Sequence, residues 1–597
     1  MGSENPMGPF QQRAAPDQEA CGGCKSVMVY GETTPTSSLH EDVAQQTEYE
    51  PITPNSPSGL LVMSCDSLPI QVPLNAETVS EKQRNSGRML RVNRGDGLGG
   101  LLVLVLASFA ACVLPQEKDW IQAADLDAPS VRSSSGLHIH GQVTNAVDAY
   151  PFRLILQDQG VWLLEAGGIQ LTCDGVRVRR KASTDAVQWL DLAESLENQA
   201  EIELLFGEWA QPGSPWRARP GKPAPWTELQ RGWGRPSARI RIDPLETRIE
   251  ILGKRVSVRL SGYGSEGLPR TLEVERADEP VTTWKVHAVR QLLPEEHFVP
   301  DQISIGHGAS ETGSSSTPIE IAEPGHILVR PLLDGEDLGL FLFDTAASVS
   351  CIDHALAEKL GWESITETDV QGVGGRSRAT WYRSGQIELA GRVRKSQPIV
   401  ALNMAELPIQ EGLPLAGLLG ADWLAATIVT VNPAAGRMEF RSPADPSMDD
   451  WPWQPVLVEG GAPCAQFEIA PGRRGWFRLD SGSNDTVTLH ANDLAASLYP
   501  RRLQFLELPK FRLGGIGGRA TARRGVLPWI DIGGRRLTEV PASFIVDSEG
   551  PLTNPYLAGT LGGSLLSRFP IAFDLDRRRI AFLPSESPDL TGLATPD

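Results

Sequence analysis

A mainly β fold in several domains is predicted, and three observations predict it. Short runs of alternating apolar and polar residues recur between turn residues through the middle of the chain, as half-buried strands require. The supply of 59 Gly and 46 Pro provides those turns. A block pattern in the C-terminal half occurs twice, in the same order and at nearly constant spacing. At 597 residues the chain exceeds one ordinary domain of roughly 100–200 residues.

The charge balance excludes one class of partner. With 55 Lys and Arg against 74 Asp and Glu, the net charge is −19, and no basic stripe offers phosphates the clustered cations they need. Nucleic acid is therefore not an expected partner. Seven Cys in 597 residues form no disulfide framework. Cys21-Gly-Gly-Cys24 has metal-site spacing but lacks a second pair, and His138-Ile-His140 lacks a third ligand, so neither a metal nor a cofactor is expected.

Residues 1–88 are polar, with scattered Pro, Ser and Thr and no sustained apolar period. They read as disordered, or as an extension outside the native protein. At 89–112 the sequence changes to Met89-Leu-Arg-Val, then an apolar run from Leu98 to Ala111 that ends in Phe109-Ala-Ala-Cys112. Arg91 and Arg94 before a short apolar stretch that ends in small residues form an export signal, too short for an ordinary membrane span. The segment resembles a bacterial lipoprotein signal. That resemblance implies lipidation at Cys112, a membrane partner through the N-terminal anchor, and an extracytoplasmic location in the periplasm or at the outer membrane.

Residues 130–300 alternate with period two in runs such as ARIRIDPLETRIEILG and RVSVRLSGYG, and one helix-like segment, about 186–206, interrupts them. One curved antiparallel sheet covered by a helix is expected, able to fold independently. The closing stretch resembles the half-barrels of the LolA/LolB lipoprotein carriers. Residues 301–318, rich in Gly, Ser and Thr, read as a linker.

The repeat lies in 319–445 and 456–586. Gly339-Leu-Phe-Leu-Phe343 runs into Asp344-Thr345-Ala346-Ala347, and Gly475-Trp-Phe-Arg-Leu479 runs into Asp480-Ser481-Gly482-Ser483, 136 residues later. Gly372-Val-Gly374-Gly375 recurs as Gly515-Ile-Gly517-Gly518 after 143 residues. Leu418-Leu-Gly420 and Thr560-Leu-Gly562, then 429–440 and 571–582, recur after 142.

In these blocks the chain resembles the aspartic proteases, with a retropepsin-like lobe present twice. The resemblance implies that Asp344 and Asp480 are catalytic carboxylates, one from each lobe, acting on a peptide or protein substrate. Two adjacent carboxylates cannot both ionise, so they share a proton and supply a base and an acid together. Thr345 and Ser481 are implied to bond across to the opposite loop. Gly482 is expected to permit a tight turn, and the Ser483 hydroxyl to bond Asp480, which makes the site asymmetric because Ala347 has no hydroxyl. Gly372, Gly374, Gly375, Gly515, Gly517 and Gly518 are implied to form two flap hairpins. Ala346 departs from the family's usual Gly, and Thr560 from its aliphatic. A chain that keeps this fold and binds a peptide or partner without cleaving it is the alternative.

Overall fold

The computed structural model describes residues 121–122 and, with short breaks, 136–584; the longest internal breaks are 299–313 and 492–509. The 1–88 extension, Cys21 and Cys24, the 89–112 signal with Cys112, and most of the 301–318 linker lie outside the described residues. Strands dominate, as the sequence pattern predicts.

One fourteen-stranded sheet, antiparallel throughout, is built from Ile121–Gln122 and the strands between Leu137 and Gln291. Thr282–Gln291 closes the first half by pairing with Leu137–Thr144, so the sheet joins two meanders. Alternation drives it: Ile240, Ile249, Val258 and Leu272 point to a common core, while the intervening Arg and Glu face out. The helix α1, Leu192–Leu205, starts where Asp191 accepts the Glu194 amide at 2.8 Å. Within the expected 186–206 segment, Gln188–Trp189 is instead a short strand.

The helix belongs to two cores, which differs from the independent domain expected above. Ala200, Ile202 and Leu204 pack on the fourteen-stranded sheet. Leu192 and Leu196 pack with Leu457, Cys464, Trp476 and Leu557 of the second repeat. Each fully buried Leu is worth about 1.5–3 kcal/mol, so the contact is a substantial shared core. Arg177 donates to the Arg577 carbonyl at 2.6 Å, Trp189 to that of Asp576 at 2.9 Å, and Tyr556 bonds Glu197.

The first repeat forms an eight-stranded sheet from β1 (Glu320–Ala322), β2 (His326–Val329), β3 (Leu340–Phe343), β4 (Cys351–Asp353), β5 (Glu363–Gly372), β6 (Gly375–Arg383), β7 (Pro398–Leu402) and β8 (Leu415–Leu419), in the order β1-β2-β3-β8-β4-β7-β6-β5. The second uses β9 (Leu457–Glu459), β10 (Ala462–Ala470), β11 (Arg473–Asp480), β12 (Val487–Leu489), β13 (Lys510–Gly515), β14 (Gly518–Ile532), β15 (Arg535–Asp547) and β16 (Gly559–Gly562). Its order is β9-β10-β11-β16-β12-β15-β14-β13. The two orders coincide strand for strand, and in both the strand that ends at the Asp runs parallel to the strand that carries the aliphatic-Gly block.

The last repeated block joins the halves. Ile428–Asn432 with Arg437–Arg441, and Ile571–Asp574 with Arg579–Phe582, form two hairpins that pair through Val429 and Phe573 in a six-stranded sheet. Ser315–Pro318, read as linker, is an edge strand of this sheet on Arg437–Arg441. Trp453–Pro455 forms the opposite edge, and Trp451 and Trp453 pack on Ile428 and Ala572, one from each hairpin.

Candidate active site

Asp344 and Asp480 stand at equivalent strand ends. Asp344 follows β3 and its amide donates to the Leu419 carbonyl of β8 at 2.9 Å; Asp480 ends β11 in register with Gly562 of β16. Both line one cavity of about 220 Å³. The four apolar residues before Asp344 matter here, because Leu340–Phe343 is buried throughout and fixes where its strand ends.

Backbone amides hold both carboxylates. Ala346 and Ala347 donate to Asp344 Oδ1 at 2.9 and 3.1 Å, and Ser483 donates to Asp480 Oδ1 at 2.9 Å. The expected Ser483 hydroxyl bond is absent among the described residues: Ser483 Oγ accepts the Asp485 amide at 3.3 Å instead. The loops are therefore more alike than their sequences, because the supporting donors are main-chain groups that Ala347 supplies as well as Ser483.

Thr345 and Ser481, almost fully buried, cross between the repeats. Thr345 N donates to Ser481 Oγ and Ser481 N to Thr345 Oγ1, both at 3.1 Å. Thr345 Oγ1 donates to the Leu479 carbonyl at 2.8 Å, and Ser481 Oγ to that of Phe343 at 2.7 Å. Each hydroxyl both donates and accepts, so all these buried polar groups are satisfied.

Gly482 has a different role from the one its turn suggested. Its backbone is not in the left-handed region, but a Cβ there would lie 2.5 Å from Asp344 Oδ2. Glycine is required because the opposite carboxyl approaches the main chain. Ala346 has no positive φ either, and its methyl lines the cavity.

Burial raises the proton affinity of both carboxyls. Asp344 is raised by burial despite its two amides. Asp480 is pushed up to about 7, first by burial and then by the charge of Asp344. The pair therefore keeps a shared proton well above the usual carboxylate range.

Two hairpins roof the cavity. Gly372 pairs with Gly375, and Gly515 with Gly518; Gly374, in the first turn, lies outside the described residues. Gly517, at φ +81°, lies against the Gly375 carbonyl, and a Cβ there would also come within 2.8 Å of the Arg376 amide. The aliphatic tips are exchanged: Val373 packs on Ala520, Ala522 and Leu552, while Ile516 packs among residues of the first repeat.

His326, Gln371 and Arg478 are among the lining residues that lie outside the sequence-derived set. His326 is buried, and burial holds its imidazole below the ordinary value against the opposing effect of the Gly482 backbone. Arg478 was detectable in the repeat, since it occupies the position of Leu342, two residues before the Asp on the same face of the strand. No group of His, Cys, Asp and Glu able to hold a metal occurs among the described residues. His138 Nδ1 instead meets Glu296 at 3.0 Å, and the free thiols of Cys173, Cys351 and Cys464 are buried.

No curated protein matches the chain. Residues 332–423, which carry the Asp344 loop, the first Gly hairpin and the Leu418-Leu-Gly420 block, match the family model described as aspartyl protease.

Proposed function

We propose that the chain is an aspartic endopeptidase that hydrolyses peptide bonds with the Asp344 and Asp480 pair. One observation carries the reading: two half-buried carboxyls, presented from equivalent strand ends and tied by the reciprocal Thr345 and Ser481 bonds, line one cavity and hold protons more tightly than ordinary carboxyls. The ionised carboxylate takes a proton from water as its oxygen adds to the peptide carbonyl carbon, while the protonated carboxyl gives its proton to the carbonyl oxygen. As the tetrahedral intermediate collapses, the C–N bond breaks, the protonated carboxyl gives its proton to the departing nitrogen, and the ionised one takes a proton from a hydroxyl of the intermediate as that oxygen becomes the new carbonyl. The two carboxyls end with one proton between them, ready for another cycle. The Gly hairpins must part to admit a peptide and close to exclude water.

The 89–112 segment extends the reading to an enzyme lipidated at Cys112 and held on the extracytoplasmic face of a membrane, supported by its basic, apolar and small-residue blocks. Intact mass and membrane partitioning of natively expressed protein test the anchor. For the chemistry, a peptide library is cleaved by the wild type, Asp344→Asn, Asp480→Asn and the double variant. Each single variant should lose nearly all turnover and the double little more, because the pair acts as a unit. Equal cleavage by all four would refute the assignment; selective binding without cleavage, unchanged by the Asn substitutions, would favour a non-catalytic binding protein.

A further inference from the structure

The two walls of the cavity are built on equivalent strands and differ in chemistry. In the first repeat, Leu342 pairs with Leu418, which pairs with Cys351, an apolar row across β3, β8 and β4. In the second, the same row reads Arg478, Thr560, Thr488 across β11, β16 and β12. Leu342 and Leu418 line the cavity on one side, and Arg478, Thr560 and Thr488 on the other.

The two threonines already have partners. Thr488 Oγ1 donates to Asp485 Oδ2 at 2.7 Å, and Thr560 Oγ1 meets His490 Nε2 at 3.0 Å. Arg478 has neither a hydrogen bond nor an ion pair among the described residues, and its buried Nε lacks an acceptor. The nearby carboxylates feel the Arg478 charge but take their hydrogen bonds from other groups: Glu459 Oε1 accepts Asn554 Nδ2 at 2.8 Å, and Asp344 and Asp480 accept the amides of their own loops. A half-buried guanidinium with unmet donors, facing the space where a substrate would lie, matches a planar carboxylate that it can bind with two parallel hydrogen bonds.

Resting on the endopeptidase reading, we propose that Arg478 sets specificity: it binds the side-chain carboxylate of an acidic residue on one side of the scissile bond, while the Leu342 and Leu418 wall takes an apolar side chain on the other. The enzyme then cuts between an acidic and an apolar residue. Arg478→Leu would leave Thr560 and Thr488 on the second wall but remove its charge, directing the site to apolar pairs.

The test uses the full chain and matched peptides, capped at both ends so that the side chain is their only carboxylate, with Glu, Gln or Leu beside an apolar residue. Glu peptides should exceed their Gln counterparts about tenfold or more in kcat/KM, as for a site whose polar group is otherwise left unpaired. Arg478→Leu should reverse the order to Leu over Glu, Arg478→Gln should abolish the preference, and Arg478→Lys should retain part of it; melting curves verify that each variant folds. An equal fall for all three peptides, or a displaced pH profile with the order unchanged, would overturn the proposal and make Arg478 a positioning residue for the pair. Calorimetric binding to Asp344→Asn separates this from the parent reading. Tighter binding of Glu than Gln peptides, lost on adding Arg478→Leu, upholds the pocket even if wild type cleaves nothing; equal or absent binding of both overturns it.

Discussion

Thr345 and Ser481 each accept the other's backbone N–H and donate a hydroxyl proton to the strand that precedes the other's loop. The two carboxyls are therefore positioned by bonds that cross between repeats, and neither loop is set by its own repeat alone.

Removing one hydroxyl leaves a buried amide and a buried carbonyl without partners, at about 1–3 kcal/mol for each unsatisfied group. Thr345→Val, similar in shape, should lower the unfolding free energy measured in urea by about 2–6 kcal/mol for the two groups together, and Thr345→Ser should restore most of it. Unchanged midpoints in both would mean the crossing bonds contribute nothing to stability.

The shared proton sets a pH dependence with a definite sign. Asp480 has a raised value, so the proton is held more tightly in the folded chain; its stabilising contribution is complete below the ordinary aspartate range and is lost as pH rises through about 7. Thermal stability of the wild type should decline across that window, and Asp480→Asn should flatten the decline. If the pair is catalytic, turnover should fall over the same window, because the pair loses its acid. Stability independent of pH between 4 and 8 would contradict the raised affinity.

Gly482 and Ala346 occupy equivalent positions and should respond in opposite ways. Gly482→Ala places a methyl against the Asp344 carboxyl and should reduce kcat by up to about a hundredfold, the scale of a displacement of the order of 1 Å. Ala346→Gly removes a methyl from the cavity wall and should be tolerated. Peptide turnover measured on both variants distinguishes steric approach from turn conformation, since a turn requirement predicts a gain for Ala346→Gly.

Legibility followed the range of the interactions. The mainly β class, the antiparallel sheet and the order of repeated blocks depend on local periodicity and spacing, and those are written along the chain. The donors that reach Asp480 are not: Ser483 suggested its hydroxyl, whereas the bond comes from its amide, a group every residue but proline has. The need for Gly482 arises from a residue 138 positions away. Ser315–Pro318 resembles a linker because an edge strand has only one neighbour and needs little apolar content. The division of α1 between two cores was hidden because Leu192 and Leu196 have the spacing of any amphipathic helix, which shows a face but not its partner.

That shared helix makes the fourteen-stranded sheet a support for the second repeat. A chain that begins at residue 314 would expose Leu457, Trp476 and Leu557, and should melt lower and aggregate more readily than the full chain. Leu196→Asp in the full chain should act in the same direction, by about 2–5 kcal/mol as for loss of a buried Leu. A truncated chain as stable as the full one would mean the contact is incidental.

The hairpin tips give the last prediction. Gly517 adopts a positive φ against the Gly375 carbonyl and the Arg376 amide, so Gly517→Ala meets both a steric overlap and an unfavourable backbone conformation. The tips should then separate, withdrawing Ile516 from the first repeat and Val373 from the Leu552 cluster. Hydrogen exchange should rise in 363–383 and 510–532, while the strands that lead into Thr345 and Ser481 stay protected. If the hairpins exclude water during the reaction, kcat should fall more than KM rises, because an open roof admits peptide but leaves the carboxyls solvated. Unaltered exchange at both tips would show that their contact does not hold the roof closed.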